Sequence, residues 1–176
     1  MNEALPTTDL EQLDEYSRLA VGRILDRFPA WREHMVFRRP DGYEHAFADF
    51  ALASPSPAIE HGLWVSTADE EITVGLHTHH SHFTDYDNRS NPEHIGDALD
   101  HVQELLDERI AIASWYVGDR FAGSTSHEVS ADRPPSALLN GVTRTTLRSW
   151  RGTHDRDTEH GMKTWLKRIS RNDRNA

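Results

Sequence analysis

The chain of 176 residues contains no cysteine. That excludes a disulfide framework, a thiolate zinc site and a thiol nucleophile. No apolar run approaches the ~18 residues of a membrane-spanning helix. The first residues, MNEALPTTDLEQ, carry neither the basic stretch nor the apolar stretch of a signal peptide. A soluble protein of the cytoplasm, with no membrane partner, is therefore expected. Neither G-x-G-x-x-G nor G-x-x-x-x-G-K-[ST] occurs, so no glycine-rich phosphate loop is expected. Aliphatic residues are scarce as well. Leu, Ile, Val and Phe together make about a fifth of the chain, the border at which highly charged chains stop folding. The order of the residues, more than their amounts, must then supply the core.

Acid is abundant. The formal net charge is −10, and it is unevenly spread. Residues 1–135 hold 25 carboxylates and 10 bases, whereas residues 136–176 hold 4 and 9. The densest block, 69–108, has eleven carboxylates and a single base, Arg89. Such a surface repels nucleic acid and anionic lipid and attracts basic partners. The basic C-terminal stretch lacks interleaved aromatics, so nucleic acid is not an expected partner.

Periodicity predicts a helix over about 9–28, opened by a capping box at Thr8 and Glu11 and stopped by Pro29. Extended segments follow at about 33–38 and 43–52, around the turn signal Pro40-Asp41-Gly42. Residues 62–67 and 71–79 read as a hairpin with Ala68-Asp69-Glu70 at its turn. A second helix is predicted at about 92–108, with Asn91 as N-cap and Pro92 in its first turn. Residues 110–117 and 120–126 form another hairpin around Gly118-Asp119, and a last strand runs over about 142–150. With hairpins dominant and no βαβ alternation, the expected fold is α+β: one mainly antiparallel sheet of six to seven strands, with two helices packed on one face. A single domain over 1–155 is expected, followed by a basic tail, 156–176, in which Met162, Trp165, Leu166 and Ile169 allow a short helix.

His77-Thr78-His79-His80-Ser81-His82 is the local feature that looks chemical. On an extended chain His77 and His79 share one face, and His80 and His82 the other. Two imidazoles at i, i+2 on a strand bind zinc given a third ligand, for which Asp85, Asp87, His94 and His101 are candidates. His77, His79 and His82 also match part of the H-x-H-x-D-H motif of metallo-β-lactamase-fold hydrolases. Ser81 stands where that motif has Asp, and the chain is short for that fold. Packing or partner binding by the histidines is the competing reading. Ser81, Ser114, Ser124 and Ser126 lack the context of an activated nucleophile. Trp64, Trp115 and Trp150 fall in predicted strands, where packing explains them.

Three blocks together resemble bacterial immunity proteins of polymorphic-toxin and contact-dependent-inhibition systems. They are EEITVGLHTHHSHF (70–83), the helix Ile95–Leu106 leading into ERIAIASWYVGDRFAGS (108–124), and TLRSWRGTHD (146–155). The resemblance implies a small cytoplasmic antidote, non-enzymatic and without cofactor, that occludes a cognate toxin domain. An acidic face suits fast, steered association with a basic cleft such as that of a nuclease. From local charge, the expected partner-binding residues are Asp85, Tyr86, Asp87, Glu93, Asp97 and Asp100. A metal-dependent hydrolase built on His77, His79 and His82 and a plain adaptor domain are the alternatives.

Overall fold

A computed structural model describes residues 10–42, 44–84, 90–131 and 141–160. The first helix, α1, spans Glu15–Arg27 and starts later than the periodicity predicts. Its cap is Asp14, whose carboxylate accepts the Ser17 backbone N–H at 2.6 Å. The expected capping residue, Thr8, lies outside the described residues. Leu13, assigned to the helix by pattern, instead makes an isolated bridge to Ala46. Tyr16, Ala20, Val21 and Ile24 form the buried side of α1, which packs against β2. Pro29 ends the helix and opens a short 3-10 helix, Pro29–His34. Trp31 in that turn stacks on Phe28 and meets Phe50, with ring centroids 4.6 and 6.1 Å apart.

Among the described residues nine strands form two antiparallel sheets. The chain is thus α+β as expected, with two more strands than the upper expectation and two sheets in place of one. It divides into two compact units: residues 1–54, 61–76 and 80–104, and residues 55–60, 77–79 and 105–176.

The first unit holds a five-stranded meander in sequence order: β1 (Met35–Arg38), β2 (Phe47–Leu52), β3 (Leu63–Ser66), β4 (Ile72–Leu76) and β5 (His79–Phe83). Alternation along β2, β3 and β4 buries Ala48, Phe50, Leu63, Val65, Ile72 and Val74. The opposite face carries Asp49, Ala51, Trp64, Ser66 and Thr73, paired as Asp49–Ser66, Ala51–Trp64 and Ser66–Thr73. The expected strand 71–79 is broken because His77 adopts a left-handed conformation (φ 55°). Histidine is among the residues that tolerate that region, and the chain reverses there into β5. His77 and His79 therefore do not share one strand face, contrary to the extended-chain expectation.

The second helix, α2, spans Asn91–Leu106. Its cap is Ser90, one residue before the expected Asn91. The Ser90 backbone N–H and hydroxyl both donate to the Glu93 carboxylate, at 2.9 and 2.7 Å, and Ser90 C=O accepts the Glu93 N–H. Only the carboxylate half of an S-x-x-E capping box is formed, because the Ser90 hydroxyl donates to Glu93 and does not accept its N–H. Ile95, Ala98, Leu99 and Val102 are buried along one side.

The second unit holds the other sheet, ordered β7-β6-β8-β9: β6 (Ile110–Val117), β7 (Arg120–Glu128), β8 (Arg144–Arg148) and β9 (Arg156–Glu159). Ala111, Ala113 and Leu147 form a small apolar cluster. β9 pairs with β8 from Arg144–Glu159 to Leu147–Arg156. The expected boundary at 155 is thus too early, since four residues given to the tail complete a sheet. The helix expected on Met162 to Ile169 lies outside the described residues. Among the described residues no helix is long and apolar enough to cross a membrane.

Candidate functional site

Helix α2 carries the acidic face in the first unit. Glu93, Asp97, Asp100 and Glu104 follow one another at spacings of four, three and four, which aligns them along one side. The first three are exposed and Glu104 is half-buried. The helix contains no Lys or Arg, and its last turn has no base to complement its negative end. Arg27, at the end of α1, reaches Asp100 at 2.7 Å. Glu93 is committed to the Ser90 cap, so its role is at least partly structural. The structure thus brings Glu93, Asp97 and Asp100 into one stripe and adds Glu104, which helical spacing in the sequence already implies. Asp85, Tyr86 and Asp87, the other expected contact residues, lie outside the described residues.

The open face of the five-stranded sheet, also in the first unit, gathers the aromatic and imidazole groups. The Trp64 indole lies flat over Gly75, where a Cβ would sit 2.1 Å from the ring. His80 stands 6.4 Å from Trp64, centroid to centroid, and 5.0 Å from His82 in an edge-to-face arrangement. His82 Nδ1 lies 2.6 Å from Glu71 Oε1 and 3.2 Å from Thr73 Oγ1, and the Thr73 hydroxyl donates to Glu71 at 2.8 Å. Beyond Trp64 a cavity of about 360 Å³ is lined by Phe47, Ala51, Trp64 and Ser66, with the Arg38–Asp49 ion pair among its walls. The sequence assigns no site role to Trp64, Glu71 or Thr73. The alternation of His80 with His82 is the one signal that points to this face.

His101 of α2 packs on Phe83 of β5, with centroids 5.4 Å apart, and burial lowers its imidazole pKa below the ordinary value. Tyr16 is buried beneath acid. Burial first, then Glu71, Asp14 and Glu70, push its phenol up to about 12.

The other histidines of the cluster, His77 and His79, themselves belong to the second unit and have structural partners within it. The Glu60 N–H donates to His77 Nδ1 at 3.4 Å, and His79 Nδ1 lies 3.1 Å from Ser124 Oγ. The Ser124 hydroxyl donates to the Thr78 carbonyl, and the Thr78 and Ser114 hydroxyls meet at 2.7 Å. These contacts tie a turn to a sheet. Among the described residues no three His, Asp or Glu side chains converge to hold a metal ion, so His77, His79 and His82 do not form the trio of the alternative hydrolase reading. Trp115 and Trp150 are buried, in line with packing.

Among the described residues of the second unit, Glu108 is a buried acid, which the sequence marks only as part of the acidic block. Its carboxylate accepts the backbone N–H groups of Arg151 and Thr153 at 2.8 and 3.3 Å. Burial alone would raise its pKa. Hydrogen bonds from the Ser149 and Thr153 side chains and from the Arg151 and Thr153 backbone more than offset burial and hold it down to about 2. Asp155 supports the same loop, accepting the Ser149 N–H at 2.7 Å and the Ser56 hydroxyl at 3.0 Å. Comparison with protein-family models, curated proteins and solved structures finds no match.

Proposed function

We propose that this chain is a non-enzymatic immunity protein of the bacterial cytoplasm that binds a cognate toxin domain with a basic surface and neutralises it by occlusion. The observation that carries this is the stripe Glu93, Asp97, Asp100 and Glu104 on a helix without a Lys or Arg. Like charges three and four residues apart each cost the helix about 0.2–0.5 kcal/mol. A partner with the opposite charge recovers that cost on binding and is steered toward the face from a distance. Asp85, Tyr86 and Asp87 precede the helix in sequence and are proposed as further contact residues from the sequence alone. The resemblance to immunity proteins over residues 62–155 supports the same function.

The test first asks whether a large reading frame ending in a small toxin domain adjoins this one, as the proposal requires, and then uses that domain. Co-expression with this chain should rescue growth, and the purified pair should associate rapidly at low salt. The double substitution Asp97→Lys, Glu104→Lys should slow association about tenfold and flatten its salt dependence. Failure to bind that domain overturns the proposed partner, and unchanged association of the double variant overturns the proposed surface.

A further inference from the structure

His80 and His82 project from the same face of β5, and both are exposed. Their rings stand edge to face with centroids 5.0 Å apart. Two imidazoles on one tetrahedral ion, each with its nitrogen ~2.0–2.1 Å from the metal, have centroids roughly 5 Å apart. The pair therefore already has the spacing of a chelate.

The second observation is the group behind His82. Glu71 and Thr73 both lie against its Nδ1, and the Thr73 hydroxyl is itself spent on Glu71. Nδ1 is thereby fixed as the N–H that donates to the carboxylate. In the neutral ring the lone pair then sits on Nε2. A carboxylate that holds one imidazole nitrogen in this way orients the other toward a metal and raises its basicity. The surroundings favour a cation. Asp69 and Glu70 precede Glu71 in the adjoining turn, and residues 69–83 contain no Lys or Arg.

We propose that His80 and His82, oriented by Glu71, form a surface site for one divalent transition-metal cation of the zinc, nickel or copper type. Imidazole nitrogens select these ions over magnesium and calcium, which take oxygen ligands. Two protein ligands leave the remaining positions to water, so the ion is exchangeable. The pair differs from the hydrolase-like trio of His77, His79 and His82, and it is independent of the proposed neutralisation of a toxin.

Calorimetric titration of the untagged full chain with Zn²⁺ tests the proposal, together with Cu²⁺ quenching of tryptophan fluorescence, because Trp64 adjoins His80. One saturable site per chain is expected. His80→Ala and His82→Ala should each abolish it, and the exposed His45→Ala should retain it. Glu71→Gln should weaken it 10–100-fold, the usual loss when the carboxylate behind a metal-bound histidine is removed. Circular dichroism establishes that each variant is folded. Absence of saturable binding, or binding unchanged in both His80→Ala and His82→Ala, overturns the site. Unchanged affinity in Glu71→Gln overturns the orienting role of the carboxylate.

Discussion

Removing the charge of Glu108 should cost stability in an amount readable from its surroundings. The residue is 7% exposed, and its carboxyl is held at about 2 against an ordinary value of 4.5. At about 1.4 kcal/mol for each tenfold change in the protonation equilibrium, the ionised form contributes about 3 kcal/mol. Because the folded pKa is depressed, that contribution is fully present above about pH 4.5. It is lost as the pH falls from there toward 2. Glu108→Gln keeps the shape but forfeits the charge-assisted bonds to Arg151 and Thr153. It should lower the melting temperature at pH 7 by roughly 5–10 °C. Urea denaturation at pH 7, 4 and 3 should show wild type and variant converging as acid is added. The backbone supplies a second comparison. Glu108 has φ 57°, just past the end of α2, where glycine is favoured. Glu108→Gly should therefore be about 1 kcal/mol more stable than Glu108→Ala. A Glu108→Gln chain as stable as wild type at pH 7, with the same acid limb, would refute the assignment of Glu108 as the anchor of the 149–155 loop.

Three further outcomes are expected. The Tyr16 hydroxyl is buried without a hydrogen-bond partner among the described residues; Tyr16→Phe should be neutral or stabilise by up to about 1 kcal/mol in urea denaturation, since an unsatisfied polar group is removed. Burial lowers the His101 pKa, so its contribution is complete above about pH 6.5 and declines as the pH falls below that value; His101→Leu should flatten the stability profile between pH 7 and 5. A methyl at Gly75 would overlap the Trp64 ring at 2.1 Å; Gly75→Ala should displace that indole, red-shift the tryptophan emission and destabilise by about 1–3 kcal/mol.

The sequence pattern locates both helices and the seven expected strands, most clearly where an apolar periodicity matches the buried face, as in α1, α2, β2, β3 and β4. Ile95, Ala98, Leu99 and Val102 recur at helical spacing and are buried. Ala48 and Phe50 alternate with residues of the open face in the same way. The failures have local causes. β9 reads Arg-Asp-Thr-Glu and is exposed throughout; an edge strand with no apolar face has no period to detect, and only its pairing with β8 reveals it. β5 is concealed by His77, whose left-handed backbone converts one apparent strand into a hairpin. The caps fail by choice among neighbours. Asp14 and Ser90 are both legible, the latter as Ser-Asn-Pro-Glu, but Thr8 and Asn91 offer the same side-chain chemistry nearby. At the candidate site, the acidic stripe is legible because charge and helical spacing are both one-dimensional. The Glu71–Thr73–His82 cluster is not, since it depends on pairing across β4 and β5.

The stripe on α2 costs the helix stability. Glu104 sits in the C-terminal half of the helix, where the backbone presents unpaired carbonyls and a negative charge is unfavourable. It follows Asp100 by four residues, a second repulsion. Were the helix shaped by stability alone, a base would stand there. Glu104→Lys should accordingly stabilise the isolated chain by about 0.5–1 kcal/mol, through the relieved repulsion, a new i, i+4 attraction to Asp100 and a favourable interaction with the helix end. The same substitution removes negative charge from the face proposed to meet the basic partner, and it should slow association there. Opposite signs for the two effects are the mark of a residue kept for binding at the expense of the fold. Thermal melting of the isolated chain and association kinetics with the toxin domain, measured on the same Glu104→Lys preparation, decide the matter. A loss of stability would refute the electrostatic account of the helix, and a gain in stability with unchanged association would remove Glu104 from the binding face.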